Sequence, residues 1–519
     1  MNKNSWNPKG RGPDLSRRKF ISVCGSCAAL CAVPPLDGIK PVRSIVTNKR
    51  KTIRVVYSLH AVKQPRPDWP NVGFDFAPVM RRINGTLEGE CPEFDFVPTM
   101  ASGPQEAEKI LEQDRSASID GYIVFQMNCW NKVIQTMAKS GKPVLYADFQ
   151  YGGSGGFLVY TAGFLREQAS RVGFVASSRM DDLVKAVKCF GTIDAADEFA
   201  AATTRLRIQN TRRAGDPACK TDRLEALSCG ECLSRMKQSR ILAVRDQNSG
   251  PLEPIMEIPV EAVSFAEVNA AWEKADRDES RAVAGRWRKA ASDVIDVPLE
   301  TLESSAAFYL GMKDVLKKHA ANAITVNCLG GFYGGHIHAY PCLGFHELNN
   351  EGLVGACECD TRSTATMLAF STLTRGRPGY ISDPIIDTAK RQIVYAHCVA
   401  SNKVFGPDGR TNPFAIMTHS EDRQGASIRS FLPLGYMTTT LEILPDQKEI
   451  LFHQGKAVDN DPDDRACRTK LCVEPVGDME KLFTMWDRWG WHRVTFYGDL
   501  KEPVYSLADH MGWRVIEEA

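Results

Sequence analysis

The sequence predicts an α/β protein with two open parallel-sheet α/β domains followed by a β-rich, mainly antiparallel C-terminal domain. Three observations carry this. Apolar, β-branched runs such as "TIRVVYS", "IDGYIVFQMNCW" and "KPVLYADF" alternate with helical stretches in the first part of the chain. The alternation resumes at "SRILAVRD", and beyond Pro378 closely spaced strand-like runs replace the helices. Strand–helix–strand succession implies parallel sheets, whereas short strands separated by turn residues imply antiparallel ones. The expected divisions are 1–51, 52–195, 196–377 and 378–519.

The first division is read as a twin-arginine signal peptide and linker. Arg17 and Arg18 precede an apolar segment from Phe20 to Val33, and Pro34-Pro35 breaks it. The expected destination is the periplasm or another exported location. In 52–195, the helical "NKVIQTMAKSG" lies between two apolar strands, with Gly141 at its stop. "YGGSGGF", Tyr151 to Phe157, then lies at the carboxyl rim and reads as a flexible loop. It lacks the lysine of a P-loop and the glycine spacing of a dinucleotide site. In 196–377, "SCGECL" reads as a surface loop with free thiols or one local disulfide. "SSAAFYLGMKDVLKKHAANAITVNC" reads as helix then buried strand, "LVGACE" as a strand and "TATMLAFSTLT" as a helix. In 378–519, "RQIVYAHC", "FAIMTHS", "EILFHQGK" and "HRVTFYGD" read as strands, and "DHMGWRVIEEA" as a short helix and strand.

Composition narrows the function. Lys and Arg total 64 against 63 Asp and Glu, for a formal charge of +1, with no basic block. A nucleic-acid surface is therefore not expected. No apolar stretch reaches the roughly 18–20 residues of a membrane span.

Four residues stand out. Glu358 closes "LVGACE" and Asp383 follows "GRPGYIS"; His397 closes "RQIVYAH" and His492 opens "HRVTFYGD". Two carboxylates with one or two histidines make a mixed O/N ligand set suited to Mn²⁺ or a similar divalent ion. Taken singly, each has a plain structural role as a cap, loop or core residue. His336 and His338 alternate in "GGFYGGHIHAYPC", as a sugar-binding pair, a second metal site or solvent-facing histidines. Asp360 is expected to support the ligands from behind. His419 and Glu421 sit on a polar loop, as rim contacts or solvated groups. Trp486, Trp489 and Trp491 suit a sugar-stacking wall or core packing.

"PCLGFHELNNEGLVGACECD", "GRPGYISDP", "VYAHC" and "GWHRVTFYGD" resemble, in order and spacing, the L-fucose isomerase and L-arabinose isomerase superfamily. The resemblance is strong over about residues 320–500 and architectural before that. It implies metal ligation by Glu358, Asp383 and His492, with His397 added as in arabinose-type members, and Mn²⁺ as the usual ion. It also implies Glu358 and Asp383 as the acid/base pair of an aldose–ketose isomerase working through an ene-diol. Trp491, His336 and His338 are then candidate substrate contacts. The implied substrate is a small free sugar, a pentose or 6-deoxyhexose. The implied assembly is a trimer or hexamer whose neighbouring N-terminal domain closes the site. Two departures from the superfamily pattern stand out, the first of which keeps either sugar specificity from transferring and the second of which alters the local turn. Asp383 matches the fucose type while His397 matches the arabinose type, and Cys359 stands where glycine is usual. A repurposed, non-catalytic sugar-binding protein of the cell envelope is the competing class.

Overall fold

A computed structural model describes residues 50–246 and 248–519, and the twin-arginine expectation lies outside them. Arg50–Ala519 form one compact unit. Its first sheet contains Lys51–Ser58 (β1), Phe94–Ala101 (β2), Gly121–Gln126 (β3), Val144–Asp148 (β4) and Val172–Val175 (β5), all parallel, in the order β2-β1-β3-β4-β5. Every residue of β3, "GYIVFQ", is buried, as befits a parallel strand covered on both faces. The order of strands turns around between β1 and β3, so the loops that follow them part and leave a crevice at the carboxyl edge.

"YGGSGGF" is not a free rim loop. It opens the helix Ser154–Arg166. A Cβ on Gly153 would lie 2.0 Å from the Gln126 carbonyl oxygen, and one on Gly155 would lie 3.1 Å from the Trp491 ring. The glycines serve close packing, which rules out the looseness expected of a flexible loop. "SCGECL" likewise starts a helix, Cys229–Gln238, whose N-cap Ser228 hydroxyl accepts from the Glu231 amide. Both cysteines are unpaired, so the local disulfide is absent.

The second sheet draws on Ile241–Val244 (β6), Gly250–Ile255 (β7) and Ile258–Val263 (β8). After a short strand Asp293–Ile295 (β9) come Ala323–Val326 (β10) and Val354–Cys357 (β11). The order is β11-β10-β6-β8-β7, parallel except for the β7–β8 hairpin.

The C-terminal strands are Tyr380–Asp387 (β12), Gln392–His397 (β13), Phe414–Met417 (β14), Ser427–Ser430 (β15), Met437–Leu444 (β16), Glu449–Asn460 (β17), Thr469–Pro475 (β18), Arg493–Tyr497 (β19) and Arg514–Glu517 (β20). Their main sheet runs β16-β19-β12-β13-β18-β17-β20, and an added β16–β17 pairing closes it into a barrel. All its ladders are antiparallel except β17–β20. β14 and β15 pair with each other, and β9 joins them as a third strand. The fold class is the one the sequence predicts. No helix among the described residues is long and apolar enough to cross a membrane.

Candidate functional site

Barrel register assembles most of the site. β12 pairs with β19 from Tyr380↔Thr495 to Ser382↔Arg493, and with β13 from Asp383↔Ala396 onward. Pro384 has no N–H, so a ladder on its free side cannot continue through it. Asp383 therefore lies where β12 changes partner, within the strand and not beyond its end. The β19 ladder brings His492 level with Asp383 on one side, and the β13 ladder sets His397 next to it on the other. Glu358 arrives separately, one residue past β11 of the second sheet.

The four side chains meet. One ligand atom from each of Glu358, Asp383, His397 and His492 lies within 4.8 Å of the others. His492 Nε2 is 3.1 Å from Asp383 Oδ1 and 3.4 Å from Glu358 Oε2, while His397 Nε2 is 3.7 Å from Glu358 Oε1. Asp383 Oδ1, His397 Nε2 and His492 Nε2 are all buried without a hydrogen-bond partner. Buried polar atoms rarely stay unpaired, and a convergent set of oxygens and nitrogens is what a divalent cation satisfies. The donor set fits such an ion.

Two neighbours tune this cluster. Asp360 Oδ2 accepts from His492 Nδ1 at 2.9 Å, which turns Nε2 towards the carboxylates. Asp360 also caps the helix Thr361–Leu373 by accepting from the amides of Arg362 and Ser363. The two histidines are not equivalent. His397 Nδ1 accepts from the Cys398 amide at 3.0 Å, which in a neutral ring puts the proton on Nε2. His492 is the better-prepared ligand.

Charge in the cluster calls for a cation. Burial opposes the charged form of His492, yet Asp360, Asp383 and Glu358 together raise its pKa well above the ordinary value. Burial pushes Glu358 up, but His492 and His397 outweigh it and bring the carboxyl down to about 2. Glu358 and Cys359 both adopt left-handed backbone, φ 62° and 53°. Such conformations cost about 1–3 kcal/mol each away from glycine and concentrate at working sites. Cys359 thus holds by strain the turn that glycine would hold freely.

The cluster forms one wall of a cavity of about 1010 Å³. The facing wall is the carboxyl edge of the first sheet: His60 to Trp69 after β1, Ser102 to Pro104 after β2, and Cys129 to Lys132 after β3. This chain's own N-terminal region lines the cavity. Trp491 lines it, edge-on to Trp130 at 6.4 Å, whereas Trp486 and Trp489 are fully buried in the core. Glu421 also lines it and accepts from the Tyr333 hydroxyl at 2.9 Å; burial raises its carboxyl to about 8. His336 and His338 lie outside this lining, exposed beside Phe265 and Trp272. Sequence reasoning missed the wall after β1, although "HAVKQPRPDWP" follows a buried strand in a parallel sheet, where ligand-binding loops are expected.

No family model matches the chain. It is 24% identical over 233 residues to the sulfoquinovose isomerase of Clostridium sp. (strain MSTE9), covering 43% of this chain and 51% of that protein. It is 26% identical over 215 residues to the sulfoquinovose isomerase of Priestia aryabhattai, covering 40% of this chain and 46% of that one. The similarity is to sugar isomerases. They are enzymes of the same general kind as the L-fucose and L-arabinose isomerases that the motifs resemble. The chain spans about half the length of the curated relatives it matches. Among solved structures, the transcription regulator CcpA of Lactococcus lactis is 11% identical, covering 54% of this chain and 78% of that chain. Its TM-score of 0.15 carries no argument.

Proposed function

We propose that this protein is a metal-dependent aldose–ketose isomerase. The observation that carries the reading is the convergence of Glu358, half-buried, with the buried Asp383 and His492, and His397 beside them, at the wall of a large cavity. Its similarity to sugar isomerases supports the same reading.

Glu358, Asp383 and His492 would hold the ion, with His397 close by, and Mn²⁺ suits this mixed O/N set. When bound, the ion supplies Lewis acidity that polarises the sugar carbonyl and stabilises developing negative charge. The protein's own groups move the protons. One carboxylate of the Glu358/Asp383 pair takes the proton from C2, and the C–H electron pair becomes the C1–C2 double bond of the ene-diol. The carbonyl π pair goes to O1, which gains a proton. Return of the carbon-bound proton to C1, with loss of the O2 proton, leaves the ketose. Asp360 keeps His492 in one tautomer throughout. Trp491 and Trp130 give the cavity an apolar wall, and Gly155 allows the first sheet's helix to close against it.

The test is direct. The purified, Mn²⁺-loaded protein should convert at least one aldose among pentoses, 6-deoxyhexoses and C6-substituted hexoses into its ketose. No turnover on any, with Mn²⁺ bound, would overturn the reading. Sugar binding that survives both metal removal and Glu358→Gln would favour the envelope binding protein. Export by the twin-arginine route is part of the proposal, supported by Arg17, Arg18 and the apolar segment after them. Replacing both arginines by lysine should retain the protein in the cytoplasm. A trimeric or hexameric assembly rests on the superfamily resemblance and is checked by light scattering.

A further inference from the structure

Behind His492, hydrogen bonds run away from the cavity and end on a carboxyl that the isomerase mechanism does not use. Asp360 Oδ2 accepts from His492 Nδ1 and from the Ser363 hydroxyl, both at 2.9 Å. Ser363 Oγ also lies 2.6 Å from Oε2 of Glu442, a residue of β16. Ser363 and Glu442 are both fully buried. A hydroxyl has one proton to give. If Glu442 were ionised, that proton would have to serve two carboxylate oxygens, and one buried contact would set two acceptors against each other. One of the two carboxyls must therefore carry a proton.

The surrounding donors decide which. Asp360 accepts from the Arg362 and Ser363 amides, the Ser363 hydroxyl and His492 Nδ1, a set that favours the ionised form. Glu442 is poorer in donors. Its Oε1 accepts from the Thr366 hydroxyl at 2.8 Å and the Ile443 amide at 3.0 Å, and its Oε2 meets Ser363. Arg362 Nε stands 3.7 Å from Oε1, beyond hydrogen-bond reach, while its Nη2 donates to the Trp489 carbonyl. Arg493 of the adjoining β19 donates to Glu518, and β17 sets Leu451 opposite Glu442. Burial, then the Asp360 charge, pushes the Glu442 carboxyl up to about 7 against the pull of Arg362.

We propose that Glu442 is a neutral acid that positions His492 through Ser363 and Asp360. Its carboxyl O–H donates to Ser363 Oγ, the Ser363 hydroxyl donates to Asp360 Oδ2, and Asp360 holds the His492 ring. Its role as a support for a metal ligand rests on the metal-dependent reading above. Ser363 then receives one proton and gives one, so every hydrogen bond in the relay has a fixed direction. The relay reaches from β16 across the first turn of the helix Thr361–Leu373 to the ligand cluster. A neutral Glu442 also spares Asp360 a second buried negative charge beside it.

The experiment uses the full chain. Glu442→Gln keeps a neutral donor in place, whereas Glu442→Ala and Ser363→Ala cut the relay. The infrared difference spectrum, wild type minus Glu442→Gln, should show the C=O band of a protonated carboxyl that disappears as pH rises through about 7. Absence of the band between pH 4.5 and 7 overturns the proposal, with or without metal. A raised carboxyl pKa lets the unfolded chain lose its proton first, so stability should fall as pH rises from 4.5 to about 7, and Glu442→Gln should lack that part of the slope. Mn²⁺ affinity, by calorimetry, should drop about 10-fold in Ser363→Ala and Glu442→Ala and stay within about 3-fold of wild type in Glu442→Gln. Equal losses in Glu442→Gln and Glu442→Ala, or none in Ser363→Ala, overturn the relay. If Glu442→Ala does not fold, Ser363→Ala and the infrared band decide. If the wild type binds no Mn²⁺, the metal-dependent reading falls by itself, and the nitrogen NMR shifts of the His492 ring carry the test. They should move in Ser363→Ala and hold in Glu442→Gln; shifts unmoved in Ser363→Ala overturn the relay.

Discussion

Asp360 and His492 are 132 positions apart in the chain, yet Asp360 Oδ2 accepts from His492 Nδ1 at 2.9 Å and so decides which imidazole nitrogen faces Glu358 and Asp383. Asp360→Asn removes this acceptor charge but keeps a good helix N-cap. Mn²⁺ affinity, read by calorimetry, should fall about 10–100-fold. The melting temperature of the metal-free protein should move little. A large loss of metal-free stability with unchanged Mn²⁺ affinity would show that Asp360 acts only as a cap.

Glu358→Gln and Asp383→Asn keep size and remove basicity. Each should reduce kcat by roughly 10²–10⁴-fold, the usual worth of a positioned acid or base. Full retention of kcat in both variants would remove the carboxylate pair from the mechanism. Circular dichroism should show the fold intact.

Metal binding should stabilise the fold. At a Mn²⁺ concentration about 100 times its Kd, thermal unfolding should report roughly 2.7 kcal/mol of added stability. Chelator should reverse the gain, and Asp383→Asn should abolish most of it. A thermal shift that persists in Asp383→Asn would locate the ion elsewhere.

The support behind His492 is acid-sensitive. Arg493, fully buried, donates to the His492 carbonyl at 2.9 Å and to Glu518 Oε1 at 2.7 Å; Glu518 also accepts from His453. Burial pushes the Glu518 carboxyl up from 4.5, but the Arg493 charge and the His453 hydrogen bond overcome it and hold it at about 2. A lowered carboxyl pKa contributes its stability in full above about pH 4.5 and loses it as pH falls towards 2. Glu518→Gln should therefore lower stability at pH 7, by an amount on the order of 3–5 kcal/mol for a broken buried pair. It should also flatten the decline between pH 4.5 and 2. An unchanged acid slope would mean that Glu518 does not carry this linkage.

Much of the architecture was legible because periodicity and punctuation are local. "LVGACE" and "RQIVYAH" announce buried strands, and "TATMLAFSTLT" announces the helix that Asp360 caps. Two stretches of loop-like composition misled. "YGGSGGF" and "SCGECL" have the composition of loops, but each opens a helix. In the first, close packing against Gln126 and Trp491 overrides the intrinsic looseness of glycine, and tertiary contact is not written in local composition.

The two parallel-sheet layers, the β-rich end and the residue types from which a metal centre could be made are legible in the chain alone, because side-chain chemistry and strand periodicity belong to single segments. Which of those residues meet is a property of the folded chain. Asp383 and His492 are level because antiparallel pairing sets Ser382 opposite Arg493, and Glu358 joins them because the end of β11 in a different sheet faces the barrel. His336 and His338 share a plausible spacing but lie beside Phe265 and Trp272, outside the cavity. The facing wall of the cavity likewise exists only once the loops after β1 and β3 part across a turnaround in strand order. Proximity of this kind arises from sheet register and domain packing, which depend on the whole chain and not on any segment of it.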